Sequence, residues 1–241
     1  MSEDVNQPDN DGTLRRIRVP ILMYHYVSPI PPDADEYRLD LTVEPHIFRS
    51  HMQFLVDEGY SSVSLYEIHR ALTYGDPLPD KPIVLTFDDG HIDHYETVFP
   101  LLQEYELSGT FFVVTGFADQ NLPQYISWAQ IKEMSAAGMS MQAHTKAHLD
   151  LRERDHDFLV YQIFGSVESL TAHTDAEVNM FAYPAGRYDE ATLAILEDSE
   201  IHQAVTTRYG DLHTTDGTLE LARLRVSGNM GIAGLAHLLK N

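Results

Sequence analysis

Short apolar runs alternate with segments of helical periodicity along almost the whole chain, and this alternation limits the possible folds most tightly. The runs fall at residues 19–24, 83–85, 110–115, 139–143, 178–183, 203–207 and 221–226. Ile83-Val84-Leu85 and TFFVVT at 110–115 are continuous and rich in β-branched or aromatic residues, as strands are when both faces are buried. Between the runs lie helix signals. Glu44-Pro45 opens one helix, whose Phe48, Met52 and Leu55 share a face and which Gly59 ends. Ser64 and Glu67 form a capping box for 65–74, closed by Gly75, and Ser127 and Gln130 form another for 128–137, closed by Gly138. Tyr95, Val98, Leu102 and Tyr105 make a helical stripe. A long helix over 155–173 turns Leu159, Ile163, Val167 and Leu170 inward, and 189–198 and 231–240 complete the set. No repeat or linker divides the chain. The pattern predicts one α/β domain over residues 17–241 with parallel strands, as a barrel or a doubly wound sheet. Residues 1–16, rich in Asp, Asn, Pro and Gly, are expected to be disordered, and 28–36 reads as a proline-rich loop.

The 241 residues, 43% hydrophobic, suffice for a substantial core. The formal net charge of −21 opposes binding to nucleic acid or an anionic membrane, and leaves neutral or cationic polymers as partners. With 0 cysteines, neither a disulfide nor a thiolate metal site can form, so any metal must be held by His, Asp or Glu; histidines number 13. No apolar stretch reaches the ~20 residues of a membrane span. The polar start, MSEDVNQPDNDGT, has no signal-peptide pattern, which suits a cytoplasmic protein or an exported one with its signal removed.

His25, Asp88, Asp89, His144 and the Pro184-Ala185 turn all follow directly on expected strands. In a barrel such ends share one rim, where active sites collect. Two adjacent carboxylates at the end of a buried strand resist joint ionisation, and a cation beside them removes that penalty. Asp88-Asp89-Gly90 can equally be a turn with an aspartate capping the next helix. His144 and His148 have the i, i+4 spacing that lets two imidazoles reach one ion if a helical turn forms after the strand. With one aspartate they make a His-His-Asp set, and the other aspartate is free to take a proton from water.

TFDDG at 86–90 and HTKAH at 144–148 resemble the first two motifs of the polysaccharide deacetylases, carbohydrate esterase family four, and the flanking SWAQIKEMSAAGMSMQAHT and FAYPAGRYD agree. The resemblance implies a distorted (β/α) barrel and metal-dependent removal of N- or O-acetyl groups from a carbohydrate. Carried over by position, it implies Asp88 as general base and Asp89, His144 and His148 as ligands of a divalent metal. Zn2+ is the first choice, with Co2+, Ni2+ or Fe2+ suited to the same donors. Ala185 falls where a backbone N–H helps to hold the oxyanion. The start, ILMYHYV, is similar to the circularly permuted biofilm poly-N-acetylglucosamine deacetylases, which implies His25 as the protonated general acid and a bell-shaped pH profile.

Two departures stand out. Ala182 occupies the place of an arginine that orients the base in many members, leaving Arg187, Lys132, Arg223 and Arg225 as candidates. The C-terminal region offers only His237, in a helix, where many members keep the catalytic histidine. A non-catalytic carbohydrate-binding relative and an amidohydrolase acting on a small non-sugar C–N bond are the competing readings. Glycoside hydrolysis is disfavoured because adjacent carboxylates do not readily stand ~5 Å apart across a sugar ring. Trp128 suits either pocket wall or core; Met134, Met139 and Met141 are expected in the core, and His46, His51, His91 and His94 on solvated helix faces.

Overall fold

The structure, a computed structural model, describes residues 12–240. In chain order its elements are β1 (Arg16–Arg18), β2 (Ile21–Tyr24), α1 (Glu36–Leu41), α2 (Pro45–Asp57), β3 (Ser61–Ser62), α3 (Leu65–Tyr74) and β4 (Pro82–Phe87). Then come α4 (Phe99–Glu104), β5 (Thr110–Val113), α5 (Thr115–Asp119), α6 (Trp128–Ala136), β6 (Ser140–Ala143), α7 (His156–Thr174) and β7 (Met180–Ala182). The chain ends with α8 (Glu190–Glu197), β8 (Gln203–Tyr209), β9 (Leu212–Thr214), β10 (Leu221–Arg225) and α9 (Ile232–Leu238).

The parallel strands run β2-β4-β5-β6-β7-β8-β10, and β10 returns to β2, so the sheet closes as a barrel rather than staying open and doubly wound. Residue parity explains why these runs look uniformly apolar. Leu22, Leu85, Phe111, Met141, Phe181 and Ala204 pack outward with the helices in one buried cluster. Their alternates Ile21, Val84, Phe112, Met180, Val205 and Leu221 form a second cluster inside the barrel. Both faces of each strand are thus dry. The inner cluster also takes Leu65, Ile68 and Leu72 of α3, which lies against the strands' N-terminal ends as a plug. Each such fully buried side chain contributes about 1.5–3 kcal/mol relative to exposure.

Both capping boxes form: Ser64 N–H donates to Glu67 Oε2 and Ser127 N–H to Gln130 Oε1, each at 2.8 Å. Met134, Met139 and Met141 are buried in the core. Three features were not expected from the sequence. The 28–36 loop leads into the short helix α1, started by Asp35, whose Oδ1 accepts from Arg38 N–H. Thr115, expected to end a strand, begins α5. Strands β1 and β9 form an antiparallel ribbon apart from the barrel. Order therefore begins before Ile17: Arg16 pairs with Thr214, and Arg15 N–H donates to Thr215 Oγ1. Residues 1–11 of the segment expected to be disordered lie outside the described residues.

Candidate metal centre and active site

The inward parity of the barrel strands continues past their C-terminal ends and delivers the polar groups. On β2 it runs Ile21, Met23, then His25; on β4 it runs Val84, Thr86, then Asp88. Gln142 of β6 is followed by His144, and Leu221 of β10 by Arg223. His25, Asp88, Asp89, His144, His148 and Ala185 line one cavity of ≈ 340 Å³, whose mouth is framed by Tyr37, Arg187, Thr207 and Arg225. All six residues singled out from the sequence are brought together.

Asp89 breaks the parity. Its φ is 78°, followed by Gly90 at 74°, so the chain swings its carboxylate across the rim instead of into the barrel. Thr145 (67°), His148 (52°) and Ala185 (51°) also sit in the left-handed region. Such conformations cost a non-glycine residue of order 1–3 kcal/mol and cluster where function requires them. HTKAH forms a tight turn rather than the expected helical turn, with His148 N–H donating to Thr145 Oγ1 at 2.9 Å. The two left-handed residues do what a helix would have done: the imidazoles of His144 and His148 stand 4.9 Å apart, centroid to centroid.

Asp89 Oδ1 lies 3.3 Å from His144 Nε2 and 3.2 Å from His148 Nε2, and is buried without a hydrogen-bond partner. A tetrahedral ion with bonds of ~2.0–2.1 Å spaces its ligand atoms about 3.3 Å apart, which both Asp89–histidine separations match, and all three ligand atoms lie within 4.8 Å of one another. His144 Nδ1–H donates to the Ala182 carbonyl at 2.7 Å, which fixes the ring and leaves Nε2 free to ligate. Asp89 Oδ2 meets His91 Nε2 at 3.2 Å. Burial would raise the Asp89 carboxyl, but the adjoining His144 and His91 rings outweigh it and hold it well below its ordinary value.

Asp88 is 2% exposed and faces Arg223, 1% exposed, across the barrel. The guanidinium donates from Nη1 to Asp88 Oδ1 (2.7 Å) and from Nη2 to Oδ2 (2.6 Å). Nη1 also reaches Thr86 Oγ1 at 3.0 Å, and Nε the Thr206 carbonyl at 2.9 Å. Burial pushes the Asp88 carboxyl up; the charge and hydrogen bonds of Arg223, with His25 and His144, outweigh it and hold the carboxyl below its ordinary value. Of the four cations left open by the sequence, Arg223 is the one on Asp88. Arg187 and Arg225 stand at the mouth beside Asp150 and Asp40, and Lys132 is exposed on α6. A signal existed in LARLR: an arginine at the inward position of an apolar strand needs a buried acid to face.

His25 Nε2 is 3.9 Å from Asp88 Oδ2. Burial lowers its pKa to about 4, against the raising effect of Asp88 and Asp89. Burial therefore favours the neutral imidazole, whereas the acid role expected of it needs the proton. The backbone there is clamped: His94 Nε2–H donates to the His25 carbonyl at 2.6 Å, and Asp93 Oδ2 accepts Val27 N–H at 3.2 Å. His51, His91 and His94, expected on solvated faces, are 0%, 4% and 0% exposed; only His46 is exposed as expected. Helical spacing could not show that α2 and the segment after β4 pack these rings against the rim strands. His51 donates to the Met230 carbonyl and meets Tyr24 Oη. Trp128 packs against the core and stacks on His173, away from the cavity. His237 is on α9.

Comparison with known proteins agrees with this geometry. The family model described as "Polysaccharide deacetylase" matches residues 75–204. A putative polysaccharide deacetylase of Bacillus subtilis, YxkH, is 30% identical over 218 residues, covering 90% of this chain and 75% of its own length. The poly-beta-1,6-N-acetyl-D-glucosamine N-deacetylase of Escherichia coli is 29% identical over 119 residues, 44% of this chain and 18% of that protein. Among solved structures, the Streptococcus pyogenes deacetylase PplD in complex with acetate superposes with a TM-score of 0.87 at 32% identity, covering 94% of this chain and 100% of that one. On the matched segment, the relative aligned over 90% of this chain and the barrel, the chain belongs to the polysaccharide deacetylase family.

Proposed function

We propose that the protein is a divalent-metal-dependent hydrolase that removes acetyl groups, N-acetyl above all, from a carbohydrate. The observation that carries this reading is the buried, unpartnered Asp89 Oδ1 aimed at two imidazole nitrogens, with the ionised Asp88 next to it. Two relatives, an N-acetylglucosamine polymer deacetylase and a deacetylase holding acetate, support the substrate class.

Asp89, His144 and His148 would hold the ion. A divalent cation there supplies Lewis acidity, polarising the acetyl carbonyl and lowering the pKa of water. Asp88, kept ionised and aligned by the Arg223 fork, takes the proton from the attacking water. The Ala185 N–H donates to the carbonyl oxygen as it gains charge. His25 delivers a proton to the departing nitrogen or oxygen as the C–N or C–O bond breaks. Because burial keeps the resting ring neutral, it acquires that proton within the reaction, and Asp88 Oδ2 is 3.9 Å from its Nε2. Acetate and the free amine or alcohol leave. Arg223 also supplies the base-orienting cation whose loss at position 182 favoured a non-catalytic relative.

The test is acetate release from N-acetylglucosamine oligomers and from 4-nitrophenyl acetate, before and after chelation and after adding back Zn2+ or Co2+. Asp88→Asn should cost about 10²–10⁴-fold in rate while leaving metal binding intact. Release that survives exhaustive chelation, or an Asp88→Asn variant of unchanged rate, would refute the reading.

A further inference from the structure

Asp89 brings two oxygens to the rim, and only Oδ1 faces His144 and His148. The other, Oδ2, is met by His91 Nε2 at 3.2 Å. His91 is 4% exposed, and its ring is held by stacking rather than by a helix face. It lies on Tyr26 at 3.8 Å between centroids and on Tyr125 at 5.2 Å, with interplanar angles of 22° and 27°. The Arg38 guanidinium covers the Tyr26 ring at 3.3 Å, and Phe117 packs on Tyr125 at 4.3 Å. The backbone is pinned as well: Ile92 N–H donates to the Gln124 carbonyl, and Ile126 N–H to the Gly90 carbonyl, both at 2.9 Å.

A rigid donor on Oδ2 has a specific consequence. A carboxylate free to rotate can grip a cation through both oxygens and so fill a position that a substrate oxygen needs. One oxygen tied back leaves the other as a single, directed ligand, and outer hydrogen bonds of this kind tune metal affinity. We propose that His91 is a positioning residue for the metal centre: its Nε2–H holds Asp89 Oδ2 so that Oδ1 alone is presented with His144 and His148. The stack from Arg38 through Tyr26 and His91 to Tyr125 fixes the ring that does this. Tyr26 directly follows His25, so the same stack ties the metal ligand to the strand end that bears the candidate acid. The inference rests on the metal reading above.

The test measures metal binding rather than turnover. Zn2+ affinity is read by competition with a chromophoric chelator, and Co2+ loading by visible absorption, in the wild type, His91→Phe and His91→Gln. Phenylalanine keeps a ring in the stack and removes the donor; glutamine keeps an N–H in reach of Oδ2 and loses the ring. His91→Phe should bind Zn2+ about 10–100-fold more weakly and change the Co2+ spectrum, and His91→Gln should recover most of the affinity. Metal-free melting curves establish that the variants fold; if His91→Phe does not, His91→Ala takes its place against His91→Gln. Affinity in the donor-less variant within about twofold of wild type, or His91→Gln as weak as that variant, would overturn the role of His91. A wild type that takes up neither ion would instead refute the metal reading itself.

Discussion

Replacing Arg223 by methionine leaves Asp88 as a buried carboxylate with no cation. The arginine and the aspartate are 1% and 2% exposed, and the side chain makes four polar contacts: two to Asp88, one to Thr86 Oγ1 and one to the Thr206 carbonyl. Removing one partner of a buried ion pair costs about 3–5 kcal/mol. For a domain of this size each kcal/mol shifts Tm by about 2–4 °C, so Arg223→Met should melt roughly 6–20 °C below wild type at pH 7. The loss must depend on pH. In the wild type the Asp88 pKa is depressed, so its stabilisation is present at neutral pH and is lost as pH falls through the folded-state value. Without Arg223, the burial that raises that pKa is opposed only by His25 and His144, so the variant's penalty shrinks on acidification as Asp88 takes up a proton. Adding Asp88→Asn to Arg223→Met should therefore recover part of the Tm at pH 7. Calorimetric melting across pH 4.5–8 reads all of this. A variant melting within about 2 °C of wild type, or a deficit that does not shrink in acid, would refute the reasoning.

Two further outcomes are expected. His51, His94 and His213 each donate one N–H to a backbone carbonyl, and burial lowers their pKa values; burial lowers His69 too, to about 4. The unfolded chain, whose histidines titrate near 6.5, then binds more protons, so stability should fall as pH drops from about 6.5 toward 4, and a Tm unchanged over that window would contradict it. Gly186 has φ 67°, and a Cβ there would stand 2.2 Å from Thr207 Oγ1. Gly186→Ala should therefore distort the turn that carries Ala185, lowering Tm and slowing acetate release; a variant equal to wild type in both would show that the turn is not under this constraint.

Much of the fold is legible because local signals and burial agree. Ser64, Glu67, Ser127 and Gln130 announce their helices by capping chemistry, and Ile83-Val84-Leu85 announces a strand that is dry on both faces. The candidate Asp89-His144-His148 set is legible because adjacent carboxylates at a strand end call for a cation, and two histidines four residues apart can share one. What the sequence did not yield depends on neighbours distant in the chain. Arg223 finds Asp88 only because β10 closes against β2, which in turn pairs with β4. His91 is buried only because Tyr26 and Tyr125 arrive from two other segments. HTKAH was expected to bring its two imidazoles together through a helical turn, and two left-handed residues bring them together instead.

The most direct test of the metal centre is anomalous diffraction at the zinc edge from crystals grown with one equivalent of Zn2+. The expected result is a single strong peak about 2.0–2.2 Å from Asp89 Oδ1, His144 Nε2 and His148 Nε2. A map with no peak at these three atoms, or with its peak at another place on the protein, would contradict the assignment.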